Sequence, residues 1–402
     1  MASLEEVQAR ITAATPAPRA TAVPVRDALG LVLAADVVAG ERVPPFANTA
    51  MDGYAVRAAD TAGATSDAPA RLHVVGDLPA GHAPTLPVGP GEAIRIMTGA
   101  PTPPGADASV MVERTERDGA DGVRISVPAT VGDHIRPAGG DVDAGDVVFT
   151  AGTVLGPAHL GMLASIGLTD APVYRRVRVG VISTGDELVE GPQPLAPGQI
   201  RDSNRPMLLA LVAEAGAEPV DLGIGRDDEA AVEAMFRDAA AGCDVIVTSG
   251  GVSVGDYDVV KAVLDRLGAL EWWQVAIKPA KPLAFGLLDG TPVFGLPGNP
   301  VSSHVSFELF ARPALRRMAG DPRPERTVVR ATAGAAMPRR ADGKLYLDRV
   351  RVEVVDGAYV AVRSGEQASN VLSGMANANG LALLPDGPGP AAGDPVDVML
   401  LS

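Results

Sequence analysis

Four glycine-rich polar stretches in the second half of the chain carry the residue types of an anion and metal site. They are Ser183-Thr184-Gly185-Asp186-Glu187, Ser249-Gly250-Gly251-Val252-Ser253-Val254-Gly255-Asp256, Lys278-Pro279-Ala280-Lys281-Pro282 and Gly295-Leu296-Pro297-Gly298-Asn299-Pro300. Glycines beside Ser249 and Ser253 let backbone N–H groups approach an anion, and a following helix offers its N-terminus. Lys278 and Lys281 add fixed positive charge, and Arg201 and Arg205 flank Asp202-Ser203-Asn204 before another helix start. Asp186, Glu187, Asp256 and Asp258 supply carboxylates. Acids and bases around an anion loop suit a phosphate ligand bridged by Mg²⁺, a hard cation that prefers oxygen.

These loops need a frame that gathers them. Residues 173–322 alternate strand and helix patterns: strands at Val177–Ser183, Pro219–Ile224, Val245–Thr248 and Trp272–Ile277, helices at Ser203–Ala215, Asp228–Ala241 and Tyr257–Leu267. A hairpin crosses Asp289-Gly290, and Val301–Met318 closes the segment as a helix. Such alternation predicts a mostly parallel sheet covered on both faces. The four loops then share one edge, outside the strands' carboxyl ends, where open α/β sheets bind ligands.

The flanks differ. Ser3 and Glu6 form a capping box before the stripe Leu4, Val7, Ile11, and Val25–Val38 is a second apolar element. Short Val/Ile runs between Gly/Pro/Asp clusters mark 45–141 as β-rich. The expected organisation is a helical platform from 1–44 and 142–172, an inserted β-rich domain at 45–141, an α/β domain at 173–322 and a β-barrel-like domain at 323–402. The fold class is multidomain α/β plus β.

Composition narrows the function. At 402 residues the chain has room for two to four domains of roughly 150 residues. A net charge of −15 with 3% aromatic residues argues against nucleic acid and anionic membranes as partners. Cys243 is the only cysteine, which excludes Cys-based zinc or iron–sulfur sites and an intrachain disulfide, and fits a cytoplasmic setting. Glu5 and Glu6 have the wrong sign for a secretory leader. The uncharged stretch 147–169 holds Gly and Pro throughout and reads as a loop and a helix from Pro157 rather than a membrane span. Gly251-Val252-Ser253-Val254-Gly255 matches a nucleophile elbow, but the downstream histidine, His304, falls inside the closing helix, so a serine hydrolase is set aside. Gly223-Ile224-Gly225 lacks the third glycine of a dinucleotide fingerprint, because Asp228 occupies its place.

Together with Pro45-Phe46, Ala50-Met51-Asp52-Gly53-Tyr54-Ala55, Thr98-Gly99-Ala100-Pro101 and Leu296-Pro297-Gly298-Asn299-Pro300-Val301, these motifs give a chain that resembles the molybdopterin molybdenumtransferase family (MoeA and the gephyrin E domain) over nearly its whole length. The resemblance implies a molybdopterin-binding α/β domain and an elongated homodimer. It implies insertion of molybdate into adenylylated molybdopterin, with Mg²⁺ and release of AMP. It places Asp186, Glu187 and Asp256 at the metal. Thr184, Gly185, Ser203, Asn204, Arg205, Ser249, Gly250, Gly251, Ser253, Asp258, Pro297, Gly298, Asn299 and Pro300 fall around the pterin phosphate. Lys278, Lys281, Glu187 and Arg349 join the catalytic set, and Asp52, Thr98, Arg136 and Asp141 come from the second subunit. Arg136 and Arg349 are candidate molybdate partners, and Asp227 is a weaker neighbour. Contacts with a molybdopterin adenylyltransferase and with molybdoenzymes are expected. Three positions depart from the family pattern: Ala280 stands for glycine, Thr49 for serine, and Gly140 for glutamate. If position 280 needs a positive φ, alanine strains it by about 1 kcal/mol or more. A molybdopterin adenylyltransferase and a non-catalytic pterin scaffold are the alternative functions.

Overall fold

Val179, Val181, Ile182, Val245, Ile246 and Val247 are fully buried, as expected of strands covered on both faces. They belong to a six-stranded sheet in a computed structural model that describes residues 1–226, 228–250, 259–267 and 270–401. The strands are β1 (Arg178–Thr184), β2 (Glu218–Gly225), β3 (Val245–Ser249), β4 (Leu270–Gln274), β5 (Pro282–Leu288) and β6 (Thr291–Leu296), in the order β2-β1-β3-β6-β5-β4. The four strands β2, β1, β3 and β6 run parallel, and β5 and β4 complete an antiparallel edge.

The period of two along each strand divides the core. Val179, Val181, Val245 and Val247 pack with Leu208, Leu211 and Val212 of the helix Asn204–Glu214. Ile182 and Ile246 pack instead with Val232, Phe236 and Ala239 of the helix Glu229–Gly242. Alternate residues therefore face helices on opposite sides of the sheet. Asp228 starts the second helix by accepting the Ala231 N–H at 2.8 Å. Asp289 (φ 50°) and Gly290 (φ 86°) are both left-handed, as a two-residue hairpin turn between β5 and β6 requires.

The closing helix is interrupted. It runs Pro300–Ser306, widens to a π turn over Phe307–Ala311 and resumes as Arg312–Met318. Pro313 has no N–H for the Leu309 carbonyl four residues back. Gln8 Nε2, from the N-terminal helix Leu4–Ala14, donates to that carbonyl at 3.0 Å instead. Half of the expected capping box starts this helix: Ser3 Oγ accepts the Glu6 N–H at 3.1 Å.

The chain divides into two compact units, one of Met1–Thr21, Gly30–Ala34 and Pro172–Ser402, the other of Ala22–Leu29 and Ala35–Ala171. In the first, the C-terminal strands Val328–Ala333, Leu345–Val355, Ala358–Arg363, Gly380–Leu384 and Pro395–Leu400 pair in a closed ring, a five-stranded barrel. The short strand Ile277–Lys278 joins it, parallel to Leu345–Tyr346. The second unit holds a curled six-stranded sheet of Ala108–Met111, Gly53–Val56, Glu92–Ile96, Ala70–Leu78, Gly122–Ile125 and Thr115–Arg117, in that order.

The expected platform is less helical than its composition suggests. Val25–Val38 contains a 3₁₀ turn at Val25–Asp27, a β-bridge from Leu33 to Val173 and a strand at Val37–Val38, with Gly30 at φ 76° after the turn. β-branched valines and a left-handed glycine both disfavour a regular helix there. Residues 147–169 form a strand at Val147–Phe149 and the nine-residue helix Pro157–Ser165. Among the described residues no helix is long and apolar enough to cross a membrane.

Candidate functional site

The parallel register brings three of the glycine-rich loops to one edge, with Ser183 opposite Ser249 and Ser249 opposite Leu296. Asn204, at the start of its helix, ties two of them together. Its Nδ2 donates to Ser249 Oγ and to the Gly298 carbonyl, each at 2.7 Å. Gly250 (φ 96°) donates its N–H to the Leu296 carbonyl at 3.1 Å. A Cβ there would lie 3.0 Å from both the carbonyl and the hydroxyl of Thr184, so only glycine lets these strand ends close on one another. Asn204 Oδ1 is buried without a hydrogen-bond partner among the described residues. An orphan acceptor of this kind is open to a donor from a ligand or a water.

Asp186 and Glu187 follow β1 and are exposed. Glu187 folds its carboxylate over Gly185, where a Cβ would lie 2.3 Å from Oε2. Among the described residues no three His, Cys, Asp or Glu side chains form a metal cluster. Two exposed carboxylates beside a glycine-rich loop are the donor type that Mg²⁺ takes, since it keeps water ligands and is held by one or two carboxylates plus a ligand's phosphate. Gly251, Ser253, Asp256, Asp258 and Asp227 lie outside the described residues. Pro297 and Pro300 flank Gly298 and Asn299 on the β6 loop, and Ser203 precedes the Asn204 helix.

The lysine loop opens on a cleft of about 740 Å³, which Asn299, Ser302, Lys344 and the segment Glu366–Asn370 also line. Neither Lys278 nor Lys281 has a carboxylate within ion-pair distance among the described residues. Ala280 sits at φ 73° and is buried, so the alanine is strained there as the sequence expectation required. Asn299 Nδ2 donates to Ser369 Oγ at 3.2 Å, which links the β6 loop to the barrel's side of the cleft.

Two arginines expected at the ligand are committed elsewhere. Arg205 is buried; its Nε meets Asp202 Oδ2 at 3.1 Å, and the same guanidinium pairs with Asp221 and Glu190. Asp202 also accepts from Ser183 Oγ at 3.1 Å, so Arg205 anchors the β1 edge rather than facing an anion. Arg349 is fully buried, and burial pushes its pKa down. It donates to the carbonyls of Glu366 (2.6 Å), Ala368 (3.1 Å) and Gln367 (3.2 Å). It holds the cleft's wall from behind through these carbonyl bonds, while its Nε is buried without a hydrogen-bond partner among the described residues. Lys344, Ser302, Ser369 and Asn370 were missed by the sequence reading. Most of them come from the barrel segment, and nothing in their local sequence marks them.

In the second unit, Thr98 donates its N–H and its hydroxyl to Asp52 Oδ1, each at 2.7 Å. The backbone bond first, then the hydroxyl, holds the Asp52 carboxyl below the ordinary carboxylate range. Thr49 knits the surrounding loops. Its carbonyl accepts from Gly99 at 2.9 Å, its hydroxyl donates to the Met51 carbonyl at 2.9 Å, and it pairs with Ile135 beside Arg136. Asp52, Thr98 and Arg136 are thus assembled on one group of loops. Asp141 hangs from another ribbon, donating its N–H to the Val43 carbonyl at 3.0 Å.

The family model of the MoeA N-terminal region (domain I and II) matches residues 2–167. The probable molybdopterin binding domain matches 180–317, and the MoeA C-terminal region (domain IV) matches 330–401. The chain is 46% identical over 395 residues to molybdopterin molybdenumtransferase 2 of Mycobacterium tuberculosis, covering 96% of each. It is 36% identical over 384 residues to the molybdopterin molybdenumtransferase of Bacillus subtilis, covering 94% of this chain and 89% of that one. A crystal structure of the molybdopterin biosynthesis MoeA protein from Pyrococcus horikosii superposes with a TM-score of 0.83 at 32% identity, covering 100% of this chain and 99% of that one.

Proposed function

The chain belongs to the MoeA family, and from that premise we propose that it is a molybdopterin molybdenumtransferase, which inserts molybdate into adenylylated molybdopterin and releases AMP to complete the molybdenum cofactor. The observation that carries this reading is the lysine cleft: two ammonium groups without carboxylate partners among the described residues, beside a glycine-lined cradle at the carboxyl edge of a parallel sheet. Unpaired cations in a concave site attract a dianion such as molybdate even on an acidic chain.

Each part has a task. Ser249, Gly250, Thr184, Gly298 and Asn204 form the cradle for the phosphate and pterin, with Asn204 Oδ1 open to a donor from the ring system. Lys278 and Lys281 hold the incoming oxyanion and draw charge away from the departing AMP. Asp186 and Glu187, with Asp256, would hold Mg²⁺, which supplies charge neutralisation at the phosphate. No side-chain nucleophile is required. Asp52, Thr98, Arg136 and Asp141 act from the second subunit of a homodimer. The working compartment is the cytoplasm, with a molybdopterin adenylyltransferase upstream and molybdoenzymes downstream as partners. A four-part division of the chain, at 1–44 with 142–172, 45–141, 173–322 and 323–402, describes these roles.

The test is anaerobic. Purified protein receives adenylylated molybdopterin and Mg²⁺, with and without molybdate, and AMP release is followed. Molybdate-dependent AMP release without ATP is the expected result. An ATP requirement would mark an adenylyltransferase, and tight pterin binding without AMP release would mark a scaffold; either would overturn the proposal.

A further inference from the structure

We propose that Tyr346 is a positioning residue for Lys278, its ring holding the ammonium at the mouth of the cleft while leaving the charge available to an oxyanion. The inference rests on the reading that the lysine cleft receives molybdate. Lys278 and Tyr346 are register partners on neighbouring parallel strands. Lys278 Nζ lies 4.6 Å from the centroid of the Tyr346 ring. Arg339 Cζ lies 4.2 Å from the same centroid.

The ring itself is held rigidly. Tyr346 is only 6% exposed, and its hydroxyl reaches Asp342 Oδ2 at 3.3 Å. The Arg339 side chain is fully buried and donates to the carbonyls of Lys344 and Leu384 and to Asp386, each at 2.7 Å. The nearby carboxylate of Asp342 pairs with Lys344 at 2.5 Å and forms no ion pair with Lys278.

The physical difference between the two kinds of partner matters. A carboxylate would fix Lys278 in place and cancel its charge, so an incoming dianion would have to displace it. An aromatic face attracts a cation through its quadrupole without neutralising it. A lysine parked on a ring is therefore both located and unspent. Lys281, on the same loop, has no such ring among the described residues, which makes Lys278 the better fixed of the two.

The experiment compares Tyr346→Phe and Tyr346→Leu in the molybdate-dependent AMP assay. Tyr346→Phe keeps the ring and should keep the wild-type KM for molybdate. Tyr346→Leu should raise that KM about tenfold, with kcat changed less than about twofold. In a Lys278→Ala background, Tyr346→Leu should add no further loss. Should the leucine variant fail to fold, Tyr346→Met takes its place. A second readout needs no turnover: the acetylation rate of Lys278 by acetic anhydride, followed by mass spectrometry, should rise in the leucine variant and stay unchanged in the phenylalanine variant. An unchanged rate in all three proteins, equal losses in Phe and Leu, or additive losses with Lys278→Ala would each overturn the proposal. A wild-type protein without AMP release would remove the transferase reading, and the acetylation comparison would still decide the role of Tyr346.

Discussion

Thr98 and Asp52 share a single oxygen: both the amide and the hydroxyl of the threonine point at Asp52 Oδ1. Asp52 therefore titrates below its ordinary value and stays charged until the pH falls through that lowered pKa. Thr98→Val removes the hydroxyl and keeps the amide. The Asp52 midpoint, read by carboxyl NMR, should move up toward the ordinary range, and the acid limb of the AMP-release profile should move up with it. An unmoved midpoint would mean that the amide bond alone sets the titration.

Asp186 tests the proposed metal role. Asp186→Ala should lower Mg²⁺-dependent turnover about a hundredfold, while pterin binding, measured by fluorescence titration, stays within about twofold. Equal losses in both would show that Asp186 shapes the pterin cradle instead.

Ala280 holds a left-handed backbone at φ 73° that glycine adopts freely. Relief of the strain is partly offset by the extra freedom glycine gives the unfolded chain, so Ala280→Gly should stabilise the protein by about 0.5–1 kcal/mol. The midpoint of urea unfolding reports this. A lower midpoint would show that the buried methyl contributes more by packing than the backbone loses.

How much of this was legible beforehand depends on the kind of residue. The strands β1 and β3 announce themselves, because strands buried on both faces must be nearly continuous Val/Ile runs. Asp289-Gly290 is equally readable, since a left-handed pair needs those residue types. The packing of Arg205 and Arg349 was not legible, because an arginine's sequence neighbours do not show whether its guanidinium faces solvent or carbonyls. Asp202, three residues before Arg205, was the one available hint of an ion pair. Ser369 and Lys344 had no local signal at all. Their place in the cleft follows from the barrel's ring closure, which joins segments far apart in the chain.

Gln8 and Leu309 show the same limit. Pro313 is visible as a helix breaker, but the donor that replaces its missing N–H comes from a helix 301 residues away. Gln8→Ala should cost about 1 kcal/mol in unfolding free energy. Gln8→Glu should cost at least as much, because a carboxylate offers no donor to the carbonyl. Thermal or urea unfolding of the two variants checks the order, and a neutral Gln8→Ala would mean that water replaces the amide.

The pairing of Ile277–Lys278 with Leu345–Tyr346 has a consequence for inheritance. The lysine loop lies within the stretch of chain that builds the α/β sheet, yet its first residues pair with a barrel strand. A homologous barrel transplanted at residue 323 would meet a foreign lysine loop along that seam. Recombinants that carry positions 277–282 and the barrel from the same parent should outperform those cut between them. The two segments are separated in sequence but form a single heritable module, and drift in one constrains what the other can become.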